Sequence, residues 1–247
     1  MGFILRTLVI VLCCLVTTSG ARAGDPCGEG HLRSEAATDD GMLVLHWTGT
    51  IREDMAQRIA GEFDQAKDRV KAVVLSLSSC GGSAATMHRT IGVLKRIRQT
   101  HRLTTVVWRG GFCASACVNI FLQGSRRVAA LTSSWLFHEP GLHGYSTVAP
   151  ITSPEATEQM LKEFEAVDGI SKRWLRRLRA NIKRADWWQT GNDLWEAKSG
   201  IITNVVGNSV PRDTEEQKSL GAGDLSPCLL QRCGHLLRGE AAPTISS

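Results

Sequence analysis

The sequence predicts an α/β fold: a mostly parallel sheet built from repeated β-β-α or βα units with flanking helices. Three observations carry that expectation. Ala72-Val73-Val74-Leu75-Ser76-Leu77 is a near-continuous apolar run of the kind that parallel strands show when both faces are buried. A glycine-rich turn follows it, and then Met87, Ile91, Leu94 and Ile97 at helical spacing. Leu103 to Val107, a glycine pair and the apolar set Val118, Ile120, Phe121 and Leu122 repeat the same order, and alternating strand and helix signals imply parallel pairing.

A chain of 247 residues can bury one sizeable core. Residues 1–23 read as a signal peptide: Arg6, an apolar run from Leu8 to Val16, then Ala21-Arg22-Ala23 as a cleavage site before Gly24. The apolar run is too short to span a membrane comfortably. Cys13 and Cys14 lack the small residues that precede a lipid-attachment cysteine, so the expectation is a cleaved leader and a periplasmic or secreted protein. Removing Arg6 and Arg22 leaves 27 basic against 24 acidic residues, a net charge of +3. That is too weak an excess to point to nucleic acid. The one concentrated basic patch is Lys172, Arg173, Arg176, Arg177, Arg179, Lys183 and Arg184, expected as a solvated helix face. Six cysteines remain after cleavage: Cys27, Cys80, Cys113, Cys117, Cys228 and Cys233. An even number in an exported chain suggests disulfides rather than a metal site.

The elements are expected in this order. Residues 24–41, without clear period, read as an N-terminal arm, and residues 42–206 as the domain. Leu43, Val44, Leu45 and Trp47 form a strand ending at Thr48-Gly49-Thr50. Ile51 to Val70 follows as a helix, with Met55, Ile59, Phe63 and Ala66 on one face. The strand from Ala72 runs into Ser79-Cys80-Gly81-Gly82-Ser83, where two adjacent glycines let the backbone approach a ligand closely. Neither the Walker nor the dinucleotide spacing is present there, so no nucleotide cofactor is expected. After the helix from Ala84 to Thr100 and the strand from Leu103, Cys113-Ala114-Ser115-Ala116-Cys117 makes a tight turn into a helix. A serine at such a turn lies beside orphan N–H groups that favour developing negative charge. Twenty-three residues on, Ser134-Trp135-Leu136-Phe137 delivers His138 to a strand end, stopped by Glu139-Pro140-Gly141. Thr147 to Pro154 is a loop placed to cover a cleft, and Pro154 to about Lys183 a long helix or a broken pair, ended by Asp186-Trp187-Trp188. Glu196 to Gly200 reads as a glycine-capped helix end before a short strand, Ile201 to Thr203. Residues 207–247 read as a tail pinned by Cys228 and Cys233. Trp187, Trp188 and Trp195 are expected in core or interface, and His46 and His88 as structural.

Three of these segments together resemble the Clp proteolytic-subunit (ClpP) and crotonase superfamily. They are Ser79-Cys80-Gly81-Gly82, where that family has Ser-Pro-Gly-Gly; Ala114-Ser115-Ala116; and Phe137-His138-Glu139-Pro140. Glu196-Ala197 with Gly200-Ile201-Ile202 is similar to its closing helix and strand. Within the superfamily the chain is similar to exported bacterial Clp-protease-like proteins with a C-x-S-x-C turn. The resemblance implies Ser115 as nucleophile, His138 as its base and Asp186 as the acid that orients the imidazole, with Asp193 as the alternative; His143, five residues past His138 in a loop that fixes it less firmly, is a substitute base on position alone. It implies an oxyanion hole from the backbone N–H groups of Gly82 and Ala116. Cys80 stands where the family has proline, and Cys113 and Cys117 flank the serine. A Cys113–Cys117 disulfide would stiffen the serine turn, whereas Cys80 paired to it would tie the glycine turn to the serine turn.

The expected function is a periplasmic serine hydrolase, a peptidase that forms an acyl-enzyme without metal or cofactor. Its substrate would be a peptide or unfolded protein, since a periplasmic location supplies no ATPase partner, and the resemblance implies a homo-oligomer. The alternative is a catalytically inactive binding or assembly module on the same fold. Acyl-CoA chemistry is a weaker third, because export removes the chain from CoA.

Overall fold

Among the described residues the strands form three sheets, of six, three and two strands, and the first two share one hydrophobic core. The computed structural model describes residues 27–35, 41–142 and 151–206. In chain order the elements are β1 (His31–Glu35), β2 (Met42–Thr48), α1 (Met55–Ala66), β3 (Ala72–Ser78), α2 (Ala84–Thr100), β4 (Arg102–Val107) and β5 (Phe112–Ala114). Then follow α3 (Ala116–Phe121), β6 (Arg126–Ala130), β7 (Ser134–Phe137), β8 (Gly141–Leu142) and β9 (Ile151–Thr152). The last are α4 (Pro154–Glu165), α5 (Lys172–Ile182), β10 (Trp187–Thr190), α6 (Gly191–Glu196) and β11 (Asn204–Val206).

The larger sheet has the order β1-β2-β3-β4-β6-β11. Its neighbours from β2 to β11 pair in parallel, and β1 closes one edge antiparallel to β2. Val73, Leu75 and Leu77 of β3 are buried, as a central parallel strand requires. Met55 and Ile59 of α1, with Met87, Leu94 and Ile97 of α2, turn their apolar stripes onto the same core. The Ser83 hydroxyl caps α2 by accepting from Thr86 N at 3.3 Å. The smaller, three-stranded sheet has the order β10-β7-β5, with β5 parallel and β10 antiparallel to β7, and β8 and β9 pair antiparallel as a third, two-stranded sheet. Phe137 of β7 packs edge-on to Trp174 of α5 at 5.2 Å between ring centroids, and Phe121 of α3 meets Trp135 at 4.8 Å.

The expected α/β architecture with a mostly parallel sheet is present, with differences that have physical causes. The arm contains a strand, β1, whose backbone pairing along β2 supplies an order that no periodicity announces. The first helix starts at Met55 rather than Ile51. Ile51 fits the helical spacing, but its backbone is taken by the glycine turn: Ile51 N donates to Gly81 O at 2.7 Å and Ser83 N to Ile51 O at 3.2 Å. The segment after Pro154 is the broken pair, α4 and α5, interrupted at Gly169 with φ +84° and restarted by the Ser171 cap. Trp187 and Trp188 open a strand, β10, rather than ending a helix. The closing strand begins at Asn204, because the Ile201 carbonyl accepts from Arg127 Nε and Thr203 N donates to Arg127 O. Of the basic patch, Arg179 pairs with Glu158, and Lys172, Arg173, Arg176, Arg177, Lys183 and Arg184 are exposed, the solvated face expected. The loop over 147–150 and the tail lie outside the described residues.

Candidate active site

Ser115 sits between β5 and α3 at φ 55°, ψ −126°. An L-residue held in such a conformation costs on the order of 1–3 kcal/mol and persists where the surroundings over-determine it. Glycine would adopt it freely, so a serine there points to a needed side chain. Ser115 is half-buried in an otherwise buried stretch, and its own N–H donates to Leu136 O of β7 at 3.0 Å. Its successor Ala116 opens α3, so the Ala116 N–H is one of the orphan donors of a helix start. Cys113 and Cys117, with Cα atoms 5.3 Å apart, form a disulfide across this elbow.

The glycine turn lies against the elbow. Ser79 bridges Cys113 in parallel, with Ser79 N donating to Phe112 O and Ala114 N to Ser79 O, both at 2.9 Å. Gly81, at φ +92°, passes so close that a Cβ on it would lie 2.8 Å from Ser115 Cβ and 2.7 Å from Ala114 O. Gly82, at φ +147°, bridges Ile51, and a Cβ on it would collide with the Ile51 carbonyl. The bridge uses the Gly81 carbonyl and the Ser83 N–H toward Ile51, which turns the Gly82 N–H to the opposite edge. Gly81 is buried and Gly82 exposed, so the second glycine is the one open to a ligand. Cys80 pairs with Cys27 of the arm, Cα atoms 5.9 Å apart, and not with the serine turn.

The smaller sheet assembles the remaining groups by register. Ala114 of β5 lies opposite Leu136 of β7, and Ser115 and His138 leave those two strands at the same end. On the other side Trp187 lies opposite Phe137, so the register continued by one residue sets Asp186 across from His138. With adjacent strands about 4.8 Å apart, the register puts Asp186, His138 and the Ser115 elbow at the same end of this sheet. His138 Nδ1 lies 2.7 Å from the Glu139 carbonyl. A carbonyl only accepts, so Nδ1 carries the proton and a neutral ring keeps Nε2, a buried atom, as the acceptor. The Glu139 carbonyl thus holds the Nδ1–H tautomer. Asp186 Oδ2 is itself buried at this end of the sheet.

Asp193 is placed elsewhere: its Oδ2 accepts from Thr190 N at 2.7 Å and Thr190 Oγ1 at 2.8 Å in the capping box of α6. His143, Cys228 and Cys233 lie outside the described residues. His46 meets Glu35 at 3.1 Å on β1 and β2, where burial pushes its pKa below the ordinary value against the pull of Glu35, and His88 is exposed on α2. Among the described residues no group of three or more His, Cys, Asp or Glu side chains could hold a metal, and no helix is long and apolar enough to cross a membrane.

Sequence reasoning missed two supports. One is Ile51, whose backbone braces the glycine turn. The other is Arg127, a buried guanidinium that donates to the carbonyls of Gly200 at 2.9 Å, Ile201 at 3.0 Å, Asp168 at 3.1 Å and Gly124 at 3.3 Å. Its acceptors are all backbone, which leaves no pattern of side chains to find.

No protein-family model matches the chain, and no curated protein sequence does. Solved structures do. A ClpP1 point mutant from Listeria monocytogenes superposes with a TM-score of 0.53 at 18% identity, covering 69% of this chain and 93% of that one. The chain has a ClpP-like fold. A point mutant of the membrane-bound stomatin-specific protease 1510-N matches it with a TM-score of 0.50, again at 18% identity, over 72% of this chain and 81% of that one. Identity this low establishes the ClpP-like fold alone.

Proposed function

We propose that this chain is an exported, ATP-independent serine hydrolase, a peptidase acting on peptides or unfolded segments through Ser115, His138 and Asp186. The observation that carries the proposal is the serine held at φ 55° on a strand-to-helix elbow, at the end of the sheet where β7 runs into His138 and β10 begins after Asp186. His138 Nε2 takes the Ser115 hydroxyl proton as the oxygen attacks the scissile carbonyl. The oxyanion that forms accepts from Gly82 and Ala116 N–H. The imidazolium, its Nδ1–H on the Glu139 carbonyl and the Asp186 carboxylate close by, then protonates the leaving amine. Water activated by the same ring hydrolyses the acyl-serine and restores the enzyme. ClpP-like neighbours that are proteases support this reaction class.

The test is covalent labelling of the purified mature protein by an alkyl fluorophosphonate. Wild type is expected to label and Ser115→Ala to lose essentially all of it; equal labelling of the two would exclude the role. A binding or assembly module is the second reading, favoured by the disulfide across the Ser115 elbow, where Cys113 and Cys117 depart from the pattern of the family that the sequence resembles. Failure of wild type to react with any acyl or phosphonyl probe would select it.

A further inference from the structure

The two turns that form the site are each tied by a disulfide, and the two ties meet. Cys80 directly precedes Gly81 and Gly82, Cys113 and Cys117 bracket Ser115, and the Ser79–Cys113 bridge joins the two turns. The Cys27 end belongs to a segment that braces the same loop from behind. Gly28 O accepts from Thr50 N at 3.4 Å and Thr50 Oγ1 at 3.1 Å, and the next residue, Ile51, holds Gly81 and Ser83. The arm therefore reaches the oxyanion loop twice, covalently through Cys80 and through hydrogen bonds by way of residues 50 and 51. The ties differ in access. Cys113 and Cys117 are fully buried and Cys80 nearly so, whereas Cys27 is half-exposed on the arm. Thiol–disulfide exchange is governed by access to a sulfur, so Cys27 is the point of attack.

We propose that Cys27 and Cys80 are a positioning pair for acyl transfer, and that a dithiol protein controls the site by opening them. This rests on the hydrolase reading above. A thiolate of the dithiol attacks Cys27 Sγ, the Cys27–Cys80 bond breaks, and Cys80 leaves as a thiolate that takes a proton from water. The second thiol of the dithiol then displaces Cys27, which leaves and is protonated likewise. The dithiol is oxidised to a disulfide by two electrons, and Cys27 and Cys80 are reduced to two thiols. With the covalent tie gone, Gly82 is no longer fixed at the approach that its φ and the Ile51 bridge define, and an oxyanion donor displaced by about 1 Å loses much of its effect. Cys113–Cys117 stays closed, so Ser115 itself remains in place.

The experiment treats the oxidised, full mature protein with graded dithiothreitol as the dithiol. It follows the thiols by mass mapping, fluorophosphonate labelling kinetics, and hydrogen exchange of the peptide covering 79–84. The expected result is that Cys27–Cys80 opens first and the maximal labelling rate falls about tenfold to a hundredfold, the half-saturating probe concentration holding within about twofold. Exchange over 79–84 rises, reoxidation restores both readouts, and Cys27→Ser with Cys80→Ser labels at the reduced rate. Unchanged labelling and unchanged exchange after Cys27–Cys80 opens would overturn the proposal, as would Cys113–Cys117 opening first. If oxidised wild type never labels, the hydrolase reading fails separately, and the exchange of 79–84 alone decides whether the disulfide fixes the loop.

Discussion

Ser115 is the residue at which stability and reactivity pull apart. Its φ of 55° is a cost that glycine would not bear, so Ser115→Gly is expected to stabilise the fold by about 1 kcal/mol while removing the proposed nucleophile. That corresponds to a rise in melting temperature of roughly 2–4 °C, measured by calorimetry alongside lost labelling. A fall instead would mean that the elbow is not strained. The two aspartates separate in the same way. Asp186→Asn should slow labelling by at least about tenfold with little loss of stability, because it removes charge beside the imidazolium. Asp193→Asn should leave the labelling rate alone and cost roughly 1 kcal/mol, the worth of a helix cap, seen in the urea midpoint. At this scale the sequence was informative where side chains mark a place in the fold: Ser115, His138 and Asp186 flank three strands at the same end of one sheet. It was silent where backbone atoms do, since the Glu139 carbonyl that holds the imidazole and the four carbonyls on Arg127 have no residue signature.

Among the elements, the glycine turn is the most constrained, pressed between Ile51 on one side and the Ser115 elbow on the other. Gly82→Ala would drive a Cβ into the Ile51 carbonyl at a φ that disfavours any side chain. It is expected to cost stability by roughly 1–3 kcal/mol and to cut labelling about a hundredfold, since the proposed oxyanion donor moves. Retained labelling at the wild-type rate would remove Gly82 from the oxyanion hole. Elements whose order comes from their own side chains were legible: α2 and β7 begin and end where periodicity, the Ser83 cap and the Pro140-Gly141 stop set them. Those ordered by partners were not. β1 and β10 are edge strands of five and four residues, and β5 has three, all held in place by neighbouring backbone. Ile51 is the instructive case, an apolar residue in helical phase drawn out of the helix to serve the turn.

Across the whole molecule, a 53-residue separation between Cys27 and Cys80 closes the arm, β2, α1 and β3 into one loop. By loop-closure entropy such a crosslink contributes roughly 4 kcal/mol by restricting the unfolded chain, whereas the four-residue Cys113–Cys117 closure contributes about 2. Opening Cys27–Cys80 alone is therefore expected to lower the melting temperature by about 10 °C, with the remaining fold intact by circular dichroism. The central claim is that a hydroxyl, an imidazole and two amides from three separate strand ends converge on one reacting carbon. A crystal structure of the fluorophosphonate adduct measures that convergence most directly. The account predicts phosphorus bonded to Ser115 Oγ, its phosphoryl oxygen about 2.7–3.1 Å from the N–H groups of both Gly82 and Ala116, and His138 Nε2 within hydrogen-bond reach of Ser115 Oγ. A phosphoryl oxygen bound to neither amide, or an imidazole on the far side of β7, would contradict it.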